Sequence, residues 1–210
     1  MAGNCIIDDE ACHEASRQEI IRRYYQALSG VADGTRTTEE LGKIKLIMSK
    51  ENISPEDRPT VVPALERAKN TGAPAAAIEL NDGRIITGKT GDLLGSSSAA
   101  LLNALKVLAG IPHDTTIISP TAIAPIQTLK TQFLGSKNPR LHTDEVLIAL
   151  AVSAAKSELA KKAMDALPGL RYCEVHSTVI LSQVDTDTFR KLGVNLTVEP
   201  KYQTKKLFHH

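Results

Sequence analysis

Three consecutive serines, Ser96, Ser97 and Ser98, follow a glycine-rich break that holds Gly91 and Gly95. Apolar residues at helical spacing come next, so the serines open a helix. A helix N-terminus presents unpaired N–H groups and partial positive charge, which suits an anion. The two glycines let backbone approach a ligand closely, and Lys89 and Thr90 lie just before them. The plainer reading is that Ser96 or Ser98 is an ordinary N-cap. A P-loop is excluded, because Lys89-Thr90 precedes the glycines instead of following them.

A turn at Asn81-Asp82-Gly83, a glycine break and a helix opening on this sheet edge form the plan on which zinc deaminases build half a site. There the helix opens with His-x-Glu, and a later strand feeds Pro-Cys-x-x-Cys. In this sequence Pro120 remains, but Thr121 and Ala124 occupy the cysteine positions. Zinc needs thiolate, imidazole or carboxylate ligands, and neither residue supplies one. A zinc-activated water is therefore excluded on these residues, and no metal or cofactor is expected. What survives is geometry: helix N-termini near Ser96 and Thr121 converging at one edge of the sheet. A plain strand–proline–helix connection is the competing reading of residues 115–130.

Residues 171–181 read RYCEVHSTVIL. Alternation along a strand sends Cys173 to one face with Val175, and Glu174 and His176 to the other. Cys173 and His176 therefore cannot form a nucleophile–base pair. Glu174 beside His176 would raise the imidazole pKa, which makes the two weak catalytic candidates; a polar rim is the plainer reading. On the loop before residue 143, Arg140 and His142 could reach a ligand, against the plainer reading of a solvated loop. Cys12 and His13 point in different directions on the first helix and read as packing.

These residues must be positioned by the elements around them. Helical periodicity covers residues 8–29, stopped by Gly30, then a helix from 37 or 38 with Glu40 placed for a capping box. A short helix follows at 61–69. Residues 1–71 thus read as a helical subdomain without strands, and 72–210 as a separate α/β domain. Strands at 75–80 and 84–89 form a hairpin. Helices at 96–108, 121–134, 143–156, 157–167 and 185–192 alternate with β-rich segments at 115–119, 172–181 and 194–199. The expected fold is α/β, three layers around a mixed sheet of about five strands.

Composition agrees with a packed core and excludes several classes. The 210 residues are 42% hydrophobic but only 3% aromatic, so Ala, Leu, Ile and Val must fill the interior. A net charge of +1 provides no basic field for nucleic acid. No apolar run reaches the roughly 20 residues of a membrane span. Three scattered cysteines make no disulfide framework. These features point to a cytoplasmic chain with no membrane partner.

The segments ASRQEIIRRYYQAL, AAAIELNDGRIITGK, LLNALKVLAGI, NPRLHTDEVLIAL, CEVHSTVIL, LGVNLT and TKKLF resemble the C-terminal part of a bacterial family, domain of unknown function 1846. It is also called uncharacterised protein family 371, and the resemblance covers nearly all of residues 2–208. It implies a cytidine-deaminase-like topology preceded by a helical insertion. It also implies that the family's glycine-rich N-terminal half is absent. Family members sometimes carry a zinc-protease label, which this sequence departs from in having no His-Glu-x-x-His.

Two functional expectations follow. The first is a metal-free domain that binds a small anionic or nucleotide-like ligand through Lys89, Thr90, Ser96, Ser97, Ser98 and Thr121. The second is a structural or oligomerisation module, the C-terminal half of a two-part enzyme. Apolar residues on the first two helices, Ile20, Ile21, Tyr24, Leu41, Ile44 and Ile47, favour a homo-oligomer.

Overall fold

The computed structural model describes residues 8–203. The first helix, α1 (Asp9–Asp33), is capped by Asp8, whose carboxylate accepts from Ala11 N at 2.9 Å. Gly30 does not stop it. The Arg36 side chain lies over that glycine, and α1 ends instead at Gly34, whose φ of 79° closes the helix in the left-handed region. The expected capping box forms at the start of α2 (Thr38–Lys50), between Thr37 and Glu40. After a 3-10 turn at Pro55–Asp57 comes α3 (Val61–Thr71). Ile21, Tyr25, Met48 and Val61 form a small core of their own, with Ile20, Tyr24 and Ile44 packed against it. Most of the apolar surface expected to seek a partner is thus hidden locally. Cys12 and His13, expected to pack, are exposed.

Strands β1 (Ala75–Glu79) and β2 (Ile85–Lys89) form the expected hairpin, with Gly83 at a φ of 81° in the turn. The sheet order is β2-β1-β3-β4, where β3 is Glu174–Ser177 and β4 is Asn195–Val198. Only the β3–β4 pair is parallel. The sheet is mixed and four-stranded rather than about five-stranded. The missing strand is 115–119: Ile117 and Ile118 are buried, but the segment finds no ladder partner and crosses the core as a loop.

Helices cover both faces. On one lie α1 and α3; on the other lie α4 (Ser96–Leu108) and α8 (Gln183–Lys191), backed by α6 (Thr143–Ala154) and α7 (Glu158–Asp165). Ala76 and Ile78 of β1 join the main core on the α4 side, with Leu101, Leu105, Val175 and Phe189. The approach of α4 to the sheet is close enough to demand glycine. A Cβ on Gly88 would lie 2.1 Å from Ala100 N. The expected helix over 121–134 is α5 (Pro120–Thr128) followed by a π-helical turn, Leu129–Phe133. Among the described residues, no helix is long and apolar enough to cross a membrane.

Candidate functional site

Leu94 and Leu141 pair in a single parallel bridge, which ties the loop before α4 to the loop before α6. Leu141 N donates to Leu93 O at 2.9 Å, and the Ser98 hydroxyl donates to Leu141 O at 2.9 Å. The consequence is that α4 and α6 begin side by side. Ser182, the N-cap of α8, joins them, so three helix N-termini meet around a cavity of about 330 Å³. That volume lies in the range of small-molecule sites.

The three termini are not equivalent. The α8 terminus is closed by Ser182, whose hydroxyl accepts from Asp185 N at 3.2 Å. At α6, Thr143 N donates to Asp185 Oδ1 at 2.8 Å, and His142 N donates to Glu145 Oε2 at 2.7 Å. The α4 terminus has no such closure. Gly95 is its N-cap and offers no side chain, and the first intrahelical bond comes from Ala99 N. The N–H groups of Ser96, Ser97 and Ser98 have no partner among the described residues, nor do the hydroxyls of Ser96 and Ser97. Yet both serines are 3% exposed and line the cavity. Their unpaired donors therefore open onto the cavity, an end suited to something that accepts hydrogen bonds.

His142 lines the same cavity and is tied from behind. Its Nδ1 lies 2.9 Å from Asp185 Oδ2 and 3.3 Å from the Ser182 hydroxyl. The hydrogen bond that His142 donates to Asp185 lifts the His142 pKa above the ordinary imidazole value, against the effect of burial. Burial pushes the Asp185 carboxyl upward. The His142 bond and charge, with donors from Thr143 and Ser182, outweigh that and hold it below the usual carboxylate range. Lys137 and Arg140 complete the cationic side; Arg140 Nε donates to Gly91 O at 2.7 Å. The loop they occupy is anchored by buried Lys130, whose Nζ reaches Glu145 Oε2 at 2.6 Å and Arg140 O at 2.8 Å. Such a side chain inside a π-helical turn fits the frequent use of that irregularity near sites.

Of the residues expected to contact a ligand, the cavity gathers Ser96, Ser97 and Ser98. Lys89 lies exposed at the end of β2, and Thr90 is buried with its N–H on Pro74 O. Thr121 is exposed and bonded to Ser119, because α5 starts away from the cavity. Arg140 and His142 do face it, where a solvated loop was the plainer expectation.

Glu174 and His176 sit on the far face of the sheet and do not pair with each other. Glu174 binds Arg58 and Arg22, and His176 Nδ1 lies 2.9 Å from Thr197 Oγ1. Burial drives the His176 pKa down, the reverse of the shift expected from a Glu174 partner. The carboxylate nearest its other nitrogen is Glu199, at 3.4 Å. Asp185 is the site residue that sequence reasoning missed. It reads locally as a first-turn acid, and nothing nearby marks its partner. Among the described residues, no group of three His, Cys, Asp or Glu side chains gathers as a metal set.

Residues 56–208 match the profile described as "Domain of unknown function DUF1846, C-terminal", and residues 1–52 match "Domain of unknown function DUF1846, N-terminal". The chain belongs to the DUF1846 family. The second match corrects the expectation of a C-terminal part alone, since α1 and the whole of α2 fall within the N-terminal DUF1846 match. The chain is 57% identical over 208 residues to a UPF0371 protein of Corynebacterium glutamicum, covering 99% of the chain and 42% of that relative. A Corynebacterium aurimucosum UPF0371 protein is 54% identical over 209 residues, with 100% and 42% covered. One from Streptococcus thermophilus is 49% identical over 208 residues, with 99% and 42% covered. The chain thus spans less than half the length of these DUF1846 relatives.

Proposed function

We propose that this chain binds a small anionic ligand, such as a phosphorylated or nucleotide-like metabolite, in the cavity at the start of α4. The observation that carries the reading is the open end of α4: buried Ser96 and Ser97 with free N–H groups and free hydroxyls among the described residues. Oriented N–H groups at a helix start bind phosphate without further help. Lys137, Arg140 and a His142 lifted toward its charged form add positive charge around it. Asp185 lines the same cavity and offsets the His142 charge it holds, so the net positive charge comes from Lys137 and Arg140.

Thermal-shift measurement with inorganic phosphate, phosphorylated metabolites and nucleotides tests this. A ligand bound only by the native state raises the melting point, by about 2.7 kcal/mol of stability at one hundred times Kd. Phosphate is expected to stabilise the chain where chloride of equal ionic strength does not. The Lys137→Ala, Arg140→Ala double variant is expected to weaken binding about tenfold or more. Equal stabilisation by phosphate and chloride would reject the reading.

A second reading, assembly through an apolar face, is favoured by the region around α5 and α6. Phe133 is 75% exposed, Leu134 72%, Val152 68% and Ile148 60%. Large exposed apolar side chains are what an interaction surface would use, and Ile148 and Val152 lie one helical turn apart on α6. Light scattering across a dilution series tests it, and a mass of 22.6 kDa at every concentration would count against it.

A further inference from the structure

Attracting an anion does not require the arrangement behind His142. A solvated lysine would serve, but this imidazole is fixed through Nδ1 to Asp185 Oδ2 at 2.9 Å. Asp185 is fixed in turn by Thr143 N at 2.8 Å, Thr143 Oγ1 at 3.0 Å and Ser182 Oγ at 2.7 Å. These bonds set the ring plane and commit Nδ1. Nε2 is then the ring nitrogen left for the cavity, and no described residue bonds it. A carboxylate behind one imidazole nitrogen, with the other open to a substrate cavity, is the arrangement that moves protons.

We propose that this cavity cleaves phosphomonoesters of small metabolites, with His142 Nε2 delivering a proton to the leaving oxygen and Asp185 as its positioning residue. The proposal rests on the anion-binding reading above. Phosphoryl transfer passes through a loose transition state with charge spread over the equatorial oxygens, so positioning and positive charge supply most of the catalysis. The α4 N–H groups with Lys137 and Arg140 hold those oxygens. Water adds to phosphorus as the ester P–O bond breaks, and the electron pair of that bond leaves with the ester oxygen. That oxygen takes the Nε2 proton. The attacking water, on the far side of phosphorus from the leaving oxygen, loses its surplus proton to solvent, and Nε2 takes one back from solvent, which restores the imidazolium and leaves an alcohol and inorganic phosphate. A dianionic monoester suits two cations, Lys137 and Arg140, beside a helix start better than a diester does.

The charged groups around His142 come from every neighbouring element. Asp185 faces it from α8, Glu145 from α6, Lys130 from the π-helical turn, and Lys137 and Arg140 from the preceding loop. The first turn of α4 has no charged side chain. Asp185 and Glu145 favour the imidazolium, while burial and Lys130 oppose it, and the net effect is to raise the His142 pKa.

The test measures phosphate release from p-nitrophenyl phosphate, sugar phosphates and nucleoside monophosphates by the whole chain between pH 5 and 9. Binding of inorganic phosphate is followed calorimetrically in parallel. Turnover is expected, falling as pH rises through the His142 pKa. His142→Gln is expected to lose about 100-fold or more in kcat, while phosphate still binds with an affinity lowered by about tenfold or less, because Lys137, Arg140 and the α4 N–H groups remain. His142 is 27% exposed at its side chain, so this exchange leaves the core intact. Asp185→Asn is expected to retain part of the rate, with the alkaline limb moved to lower pH; a purely structural role would leave that limb in place. Phosphate binding without cleavage of any ester would overturn the catalytic proposal alone. Wild-type turnover by His142→Gln would do the same. Absence of phosphate binding by the wild type would overturn both readings.

Discussion

His142 Nδ1 and Asp185 Oδ2 lie 2.9 Å apart, and through this contact the N-terminus of α6 is linked to that of α8. The same carboxylate accepts from Thr143 N, so one side chain closes a helix end and holds an imidazole. The His142 pKa is raised in the folded chain. Its contribution to stability is therefore complete below the unfolded value of about 6.5 and is lost as pH rises through the folded pKa. The midpoint of urea unfolding is expected to fall between pH 6.5 and 8.5, and to fall less in His142→Gln. Asp185→Ala is expected to cost about 3 kcal/mol at pH 6.5, because it strands the Thr143 and Ser182 donors and leaves the half-buried His142 without its counter-charge. A wild-type midpoint that rises over this range, or an Asp185→Ala variant of unchanged stability, would contradict the assignment.

Gly88 and Ala100 set the distance between β2 and α4. Because the atom that a Gly88 Cβ would meet is backbone, at 2.1 Å, no side-chain rotation relieves the clash. The helix must lift, and with it Leu101 and Leu105 leave the main core. Gly88→Ala is expected to destabilise the chain by about 2–3 kcal/mol. The check is urea denaturation by circular dichroism. It is paired with Gly91→Ala, where a Cβ would meet nothing within 4 Å and a loss of under about 1 kcal/mol is expected.

The contrast between these two sites explains what the sequence could disclose. Helices, caps and the hairpin were legible because their causes are local: Thr37 and Glu40 sit three residues apart, and Gly83 sits in its own turn. The serine-headed start of α4 was legible for the same reason. Asp185 was not, since it caps a helix whose first residues lie 42 positions earlier in the chain. Thr121 failed for a related reason: the Ser119-Pro120 signal starts α5 as expected, but it carries no information about where that start lies relative to α4. Periodicity placed Glu174 and His176 on one face correctly, but their partners come from α1, the 3-10 turn and β4.

Arg58 and Glu174 make the long-range contact with the largest expected energetic consequence. Arg58 is fully buried, with Nη2 donating to Val175 O at 3.1 Å and Asn195 O at 2.8 Å, and Nη1 lying 2.6 Å from Glu174. It therefore joins the 3-10 turn to both β3 and β4. Arg58→Ala is expected to cost about 3–5 kcal/mol, because it removes the buried cation beside Glu174, which keeps Arg22 and Asn195, and the donor to Val175 O and Asn195 O. Arg58→Lys is expected to recover less than about half, since an ammonium cannot reproduce the fork. Urea titrations of the three proteins decide the matter. Equal stability of the lysine variant and the wild type would show that charge alone is required.

Cys173 and Cys12 offer a contrast in thiol chemistry within one chain. Cys12 is exposed on α1, whereas Cys173 is 1% exposed in the main core beside Val175, with its Sγ 3.6 Å from Gly169 O. Alternation along the strand puts Cys173 and Val175 on the same face, as expected from sequence, and burial pushes the Cys173 thiol pKa up. A thiol reacts through its thiolate, so both the low exposure and the raised pKa suppress reaction. Cys5 lies outside the described residues, so the experiment uses the Cys5→Ser variant. With a chromogenic disulfide reagent at pH 8, Cys12 is expected to react at the rate of a free thiol. Cys173 is expected to react about 100-fold or more slowly, and only as fast as the core opens. Low urea, below the unfolding midpoint, is expected to accelerate Cys173 and leave Cys12 unchanged. Two fast thiols in the native variant would mean that the edge of the core at Gly169 and Cys173 opens independently of the rest.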